Sequence, residues 1–250
     1  MSASKILFGF HAVIARLRQH PDSMETLFYD ANRQDPRLRD LLERAALAGC
    51  AVQPVEPARL DGLAPVGRHQ GVVARVAAAL PHLTLDDVLD GAAGLPLLMV
   101  LDGVTDPHNL GACLRSADAF GVQALILPKD RSVSVNATVA KVACGAADTV
   151  PVVTVTNLSR TLEELKARGV WCVAADSGGE NLYDADLSGA LAWVLGAEGS
   201  GLRRLTRERC DRVVSIPMQG MVESLNVSVA AGICLAATQA QRHRVSCGKK

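Results

Sequence analysis

Pro96-Leu-Leu-Met-Val-Leu-Asp-Gly-Val-Thr-Asp-Pro-His-Asn-Leu-Gly-Ala-Cys-Leu-Arg115 is the stretch from which the fold of most of this chain follows. Its apolar run, Leu97–Leu101, has no polar alternation, which is the pattern of a short strand buried on both faces. Turn formers then end the strand, and a helix opens near Asn109. Outward from it the same unit repeats. Strands are expected at 124–127, 149–153, 170–174, 192–195 and 213–216, and helices at 109–120, 136–144, 158–168 and 224–241. Short apolar strands between helices predict an α/β domain built on a parallel sheet covered on both faces. Such sheets bind ligands beyond the carboxyl ends of their strands.

The flanks read differently. Residues 1–76 form a smaller α/β module, with helices near 9–20 and 37–48 and strands at 25–30, 51–55 and 72–76. In the second helix Leu38, Leu41, Leu42 and Ala45 line one face and Gly49 ends it. Residues 77–95 mix Pro, Gly and Asp and are expected as a linker with at most one helical turn. The second domain is expected at 96–243, and the basic tail 244–250 is expected to be disordered.

Composition excludes several classes. The chain has 250 residues, 49% hydrophobic and 3% aromatic, with net charge zero, so a polyanionic partner has no global signature. Its 7 cysteines include no Cys-x-x-Cys and form no cluster with His and Asp, which predicts neither a disulfide framework nor a metal site. No run reaches the roughly 18 apolar residues of a membrane span. The first residues hold too short an apolar stretch for a signal peptide. The cytoplasm is the expected location.

Three segments can carry chemistry, each following a strand. In the first, Asn109 reads as a helix N-cap and Arg115 as a solvated helix residue, or the two converge on a ligand. The second, Ala192-Trp-Val-Leu-Gly-Ala-Glu-Gly-Ser-Gly201, is a glycine-rich turn that lets backbone approach a ligand. It is neither Gly-x-Gly-x-x-Gly nor a P-loop, and Glu198 would repel phosphates. The third runs from Val214 through Ser215-Ile-Pro-Met218 to Ser224-Leu-Asn-Val-Ser228. Ser224 suits a cap, while Asn226 and Ser228 entering so apolar a helix need partners. A hydrolase triad has no support, because no Gly-x-Ser-x-Gly is present.

Taken together, Asn109 with Arg115, Gly-Ala-Glu198-Gly, and Ser224-Leu-Asn226-Val-Ser resemble the three motifs of the SpoU family of RNA ribose 2′-O-methyltransferases. The stretch Asp102–Ala117, with Val142-Ala-Cys-Gly-Ala146 and His69-Gln-Gly-Val-Val-Ala74, is similar within that family to bacterial enzymes acting on guanosine of 23S rRNA. The resemblance implies a catalytic domain whose C-terminal segment threads a trefoil knot, an N-terminal L30e-like RNA-binding domain, and a homodimer packed through the knot regions. It implies S-adenosylmethionine as cofactor, held around Leu195, Gly196, Ile216, Met218 and Leu225. It implies ribosomal RNA as partner and a guanosine in the peptidyl-transferase region as substrate. It places Arg115 beside the ribose as proposed proton acceptor, with Asn109, Glu198, Ser224 and Asn226 as the other catalytic residues. A guanidinium is normally never deprotonated, so holding the target phosphate and stabilising a developing alkoxide is the physically easier role. A tRNA ribose methyltransferase, and a non-catalytic assembly factor that keeps the knot, are the competing readings.

Overall fold

The computed structural model describes residues 4–64, 69–77, 83–92, 94–199 and 201–247. The chain divides into two compact units, 1–82 and 83–250.

The first unit follows the order β1 (Ser4–Phe8), α1 (Phe10–Gln19), β2 (Met24–Asp30), α2 (Pro36–Leu47), β3 (Ala51–Val55), α3 (Pro57–Leu63) and β4 (Val72–Ala77). Its sheet runs β1-β4-β2-β3, with β2 and β3 parallel and the other pairs antiparallel. Alternate residues face opposite sides. Leu27, Val72, Ala74 and Val76 meet Phe10, Val13, Leu38 and Leu41, whereas Phe28 and Val73 meet Val55 and Leu60. Asp35 caps α2 by accepting from the main-chain N–H groups of Arg37 and Leu38, with Pro36 at the first helical position. β1 and α3 were not expected. The first is short and half-buried, and the second holds both Pro57 and Gly62, so neither shows clear periodicity.

The second unit comprises α4 (Leu85–Asp90), β5 (Leu97–Asp102), α5 (Pro107–Ala119), β6 (Ala124–Pro128), α6 (Ala137–Ala143), β7 (Val152–Val155), α7 (Leu158–Ala167), β8 (Trp171–Asn181), β9 (Leu191–Gly196), α8 (Arg204–Arg209), β10 (Arg212–Ser215) and α9 (Val227–Cys247). The six strands are parallel in the order β10-β8-β9-β5-β6-β7. The expected parallel sheet is therefore present, and its two faces separate by residue parity. Leu97, Met99 and Leu101 pack with Leu110, Leu114, Ala231 and Leu235, while Leu98 and Val100 pack with Val88, Leu162 and Leu165. Each such leucine contributes about 1.5–3 kcal/mol by leaving water. Trp193 reaches the first face and donates its Nε1–H to Thr238 Oγ1 at 2.9 Å.

Several boundaries differ from expectation, four of them for the following physical reasons. α5 begins at Pro107, because Asp106 rather than Asn109 is its cap. β7 begins at Val152 rather than Thr149: the Thr149 main-chain N–H donates to the Ala146 carbonyl, closing a 3-10 turn, its hydroxyl donates to Asp118, and Pro151 follows. The expected linker holds α4, closed by a Thr84–Asp87 capping box and docked through Val88 and the Arg168–Asp86 and Arg168–Asp90 ion pairs. Residues 78–82 and 93 of that stretch lie outside the described residues. The expected disordered tail, 244–250, is helical as far as Cys247, and residues 248–250 lie outside the described residues. α9 continues through Cys247, anchored where Arg242 donates to the carbonyls of Pro96 and Gly189 and Gln241 to that of Ala185. Its terminal Arg244 complements the helix dipole.

Candidate active site

The carboxyl ends of β8, β9 and β10 open onto a cavity of about 390 Å³. The loop after β9 forms one wall and the loop from Ile216 to Asn226 another. All five residues expected at the cofactor, Leu195, Gly196, Ile216, Met218 and Leu225, line it, together with Glu198 and Ser224. Gly196 has a steric reason to be glycine, since a Cβ there would overlap the backbone of Gly201 and Leu202. Among the described residues, Asp176, Glu198 and Glu223 are the charged groups of the lining, and Asp176 is already paired with Arg207 at 3.0 Å. Such a lining favours a cationic ligand and disfavours a phosphate.

At the mouth stands a hydrogen-bonded cluster. Asn226 Nδ2 donates to Asn109 Oδ1 at 2.9 Å and also to Glu198 Oε1. Asn226 Oδ1 accepts from the main-chain N–H and the hydroxyl of Ser228, at 2.9 and 2.6 Å, and so caps α9. The cap is thus Asn226 and not Ser224, which is exposed on the loop. Asn109 is 8% exposed in the first turn of α5, so its partner in Asn226 satisfies an amide that burial would otherwise penalise. Burial, and secondarily the Glu198 charge, push the nearby Cys113 thiol up to about 12.

Arg115 does not join this cluster. It is exposed on α5, and its Nη1 points to the Cys144 thiol at 3.8 Å. Cys144 follows α6 in the left-handed conformation, with φ of 53°. α6 approaches α5 closely because Gly111 lacks a Cβ, which would lie 2.7 Å from Val142 Cβ.

Sequence reasoning missed Asp102 and Arg203. Asp102 ends β5 with a fully buried side chain, and Arg203 binds it through Nε at 2.6 Å, Nη2 at 2.5 Å and the main-chain N–H at 3.2 Å. The pair ties the loop after β9 to the central strand. A carboxylate closing an otherwise apolar strand was the available signal, because a buried charge requires a partner. Asp176 and Glu223 had no such signal. Among the described residues no His, Cys, Asp and Glu gather as metal ligands, and no helix is long and apolar enough to cross a membrane.

Residues 96–236 match the family model of the SpoU rRNA methylases. The chain belongs to this family. Residues 6–81 match a second model, that of RNA 2′-O ribose methyltransferase substrate binding. The SpoU relatives include a protein of Ralstonia nicotianae named 23S rRNA (guanosine-2′-O-)-methyltransferase RlmB, 60% identical across 97% of this chain and 98% of its own. Another of the same name from Bordetella pertussis is 56% identical over 97% and 99%. Among solved structures, the SpoU methyltransferase AviRb of Streptomyces viridochromogenes in complex with AdoMet superposes with a TM-score of 0.70. It is 26% identical, over 97% of this chain and 91% of that one.

Proposed function

We propose that this SpoU protein transfers the methyl group of S-adenosylmethionine to the 2′-hydroxyl of a guanosine in the peptidyl-transferase region of 23S rRNA. The observation that carries the reading is the acid-lined, glycine-walled cavity with the Asn109–Asn226–Glu198 cluster at its mouth. Its residues fit the cofactor. Leu195, Ile216 and Leu225 offer apolar contact to an adenine, and the carboxylates of Glu198 and Glu223 suit a ligand carrying sulfonium and ammonium charges. When bound, the cofactor supplies an already activated methyl group, so no metal is required.

The chain's own task is to hold the ribose oxygen in line and to manage its proton. Alignment of this kind can contribute up to roughly 7–11 kcal/mol. Asn226, restrained by Asn109 and Ser228, offers fixed polar groups at the mouth, and Glu198 adds a carboxylate acceptor. Arg115 lies on another face of α5, so we assign it to the site of a second copy in a homodimer. There its guanidinium would hold the target phosphate and stabilise the developing alkoxide.

The trefoil knot belongs to the same proposal. It is supported by β10 lying outside β8 while α9 returns to α5, where Gln239 donates to the Phe120 carbonyl at 2.7 Å. The L30e-like character of the first unit rests on its layered mixed sheet. A cytoplasmic location follows from an rRNA substrate.

The test incubates labelled S-adenosylmethionine with rRNA from cells lacking the enzyme, comparing wild type with Arg115→Ala. Label in a 2′-O position of large-subunit rRNA, lost in the variant, is expected. Transfer to tRNA alone, or binding without transfer, would overturn the assignment.

A further inference from the structure

A second cavity, of about 420 Å³, opens beyond the carboxyl ends of β6 and β7. The loop after β9 lies between the two, with Gly201 and Leu202 on the first cavity and Arg203 and Arg204 on the second. Its polar content is mixed. Arg203 and Arg204 supply guanidinium groups, and Asp130, which follows β6, supplies a carboxylate. Pro128, Leu158 and Leu205 give it apolar walls.

The cations are held in place from behind. Arg203 commits Nε and Nη2 to buried Asp102, which leaves Nη1 uncommitted. Arg204 is braced by Glu208 one turn along α8, at 2.7 Å. Asp130 has no ion-pair partner among the described residues. A phosphate offers only acceptors and would be repelled by Asp130. A guanine offers both kinds of group: O6 and N7 accept from an arginine, and N1–H and the N2 amine donate to a carboxylate. Adenine and the pyrimidines lack that combination.

We propose that this second cavity takes the guanine base of the nucleotide being methylated. Asp130 accepts from N1–H and the N2 amine, and Arg203 and Arg204 donate to O6 and N7. The base then lies on one side of the loop after β9 and the methyl donor on the other, with the ribose between them. This assignment rests on the proposed methyl transfer to guanosine and adds the residues that select the base.

The experiment uses the full chain and 23S rRNA transcripts carrying either guanosine or inosine at the nucleotide that wild type methylates. Inosine lacks only the N2 amine. Wild type should prefer guanosine by roughly tenfold to a hundredfold in kcat/KM, the worth of one hydrogen bond to a charged group. Asp130→Ala should lose more than that factor on guanosine, because the bond from N1–H goes with the one from N2, and should no longer distinguish the two. Arg204→Ala should weaken both substrates alike and keep the ratio, because inosine retains O6 and N7. Cofactor affinity, measured by calorimetry, should be unchanged in both variants. An Asp130→Ala variant that still prefers guanosine as wild type does would overturn the base site and leave the methyltransferase reading intact. Absence of transfer by wild type to any RNA would overturn both.

Discussion

Asn109 sits in the first turn of α5, nearly buried and held by Asn226, while Arg115, six residues further on, is exposed against a thiol. Six residues at 100° each place them about 120° apart around the helix. One motif therefore serves two faces. Asn109 builds the mouth of this chain's own cavity, and Arg115 points away from it. Proximity in sequence is a poor guide to a shared site when the spacing is not three, four or seven.

The sharpest way to break the comparison is to remove Arg115. Arg115→Ala should lower methyl transfer about 10²–10³-fold, as expected for losing a charge-stabilising donor, with cofactor affinity unchanged by calorimetry. Mixing it with Asn226→Ala and allowing subunits to exchange should restore activity, because one site of each mixed dimer would be intact. If activity does not return, Arg115 acts within its own chain and the contrast between the two faces dissolves.

Asn226→Ala should act on both stability and transfer. It removes the α9 cap and leaves the Asn109 amide oxygen without its partner, at a cost of about 1–3 kcal/mol. The expected fall in Tm is about 2–4 °C per kcal/mol, read by calorimetric melting. Arg115→Ala should leave Tm nearly unchanged, and an equal drop in both variants would contradict the assignment of Asn109 to a structural cluster.

Gly111→Ala probes the support beneath Arg115. The added methyl meets Val142 and should destabilise by about 1–3 kcal/mol as α6 is pushed outward. Activity should fall beyond what the stability loss explains, since Cys144 moves with α6. Wild-type kinetics in the Gly111→Ala variant would show that the Arg115–Cys144 contact has no bearing on transfer.

The smallest effect concerns the thiols. Cys144 and Cys247 are exposed, whereas burial pushes the Cys210 and Cys234 thiols, like that of Cys113, up to about 12 and raises that of Cys172 as well. Iodoacetamide on the folded protein should label Cys144 and Cys247 only, as peptide mass mapping would show. Labelling of Cys113 would mean that the core beneath the Asn109 cluster opens readily.

Much of this was legible in the residues themselves. Short uninterrupted apolar runs such as Leu97–Leu101 and Leu191–Leu195, bounded by turn residues, read as strands covered on both sides, and the turns after them mark the edge onto which the cavities open. The glycine at 196 and the polar pair at 226 and 228 picked out, for the same local reasons, the loops that wall the first cavity. Local pattern could not find the Asp102–Arg203 pair, because its partners are 101 residues apart and meet only when β9 lies beside β5. Nor could it decide that Asp106 and Asn226 cap their helices while Asn109 is buried, since each is a polar residue near a helix start and only packing chooses among them. Periodicity along the chain determined the layers and the sheet edge onto which the cavities open. Which charges face the cavities, and that Arg115 turns from its own, depended on contacts between distant segments that no local pattern records.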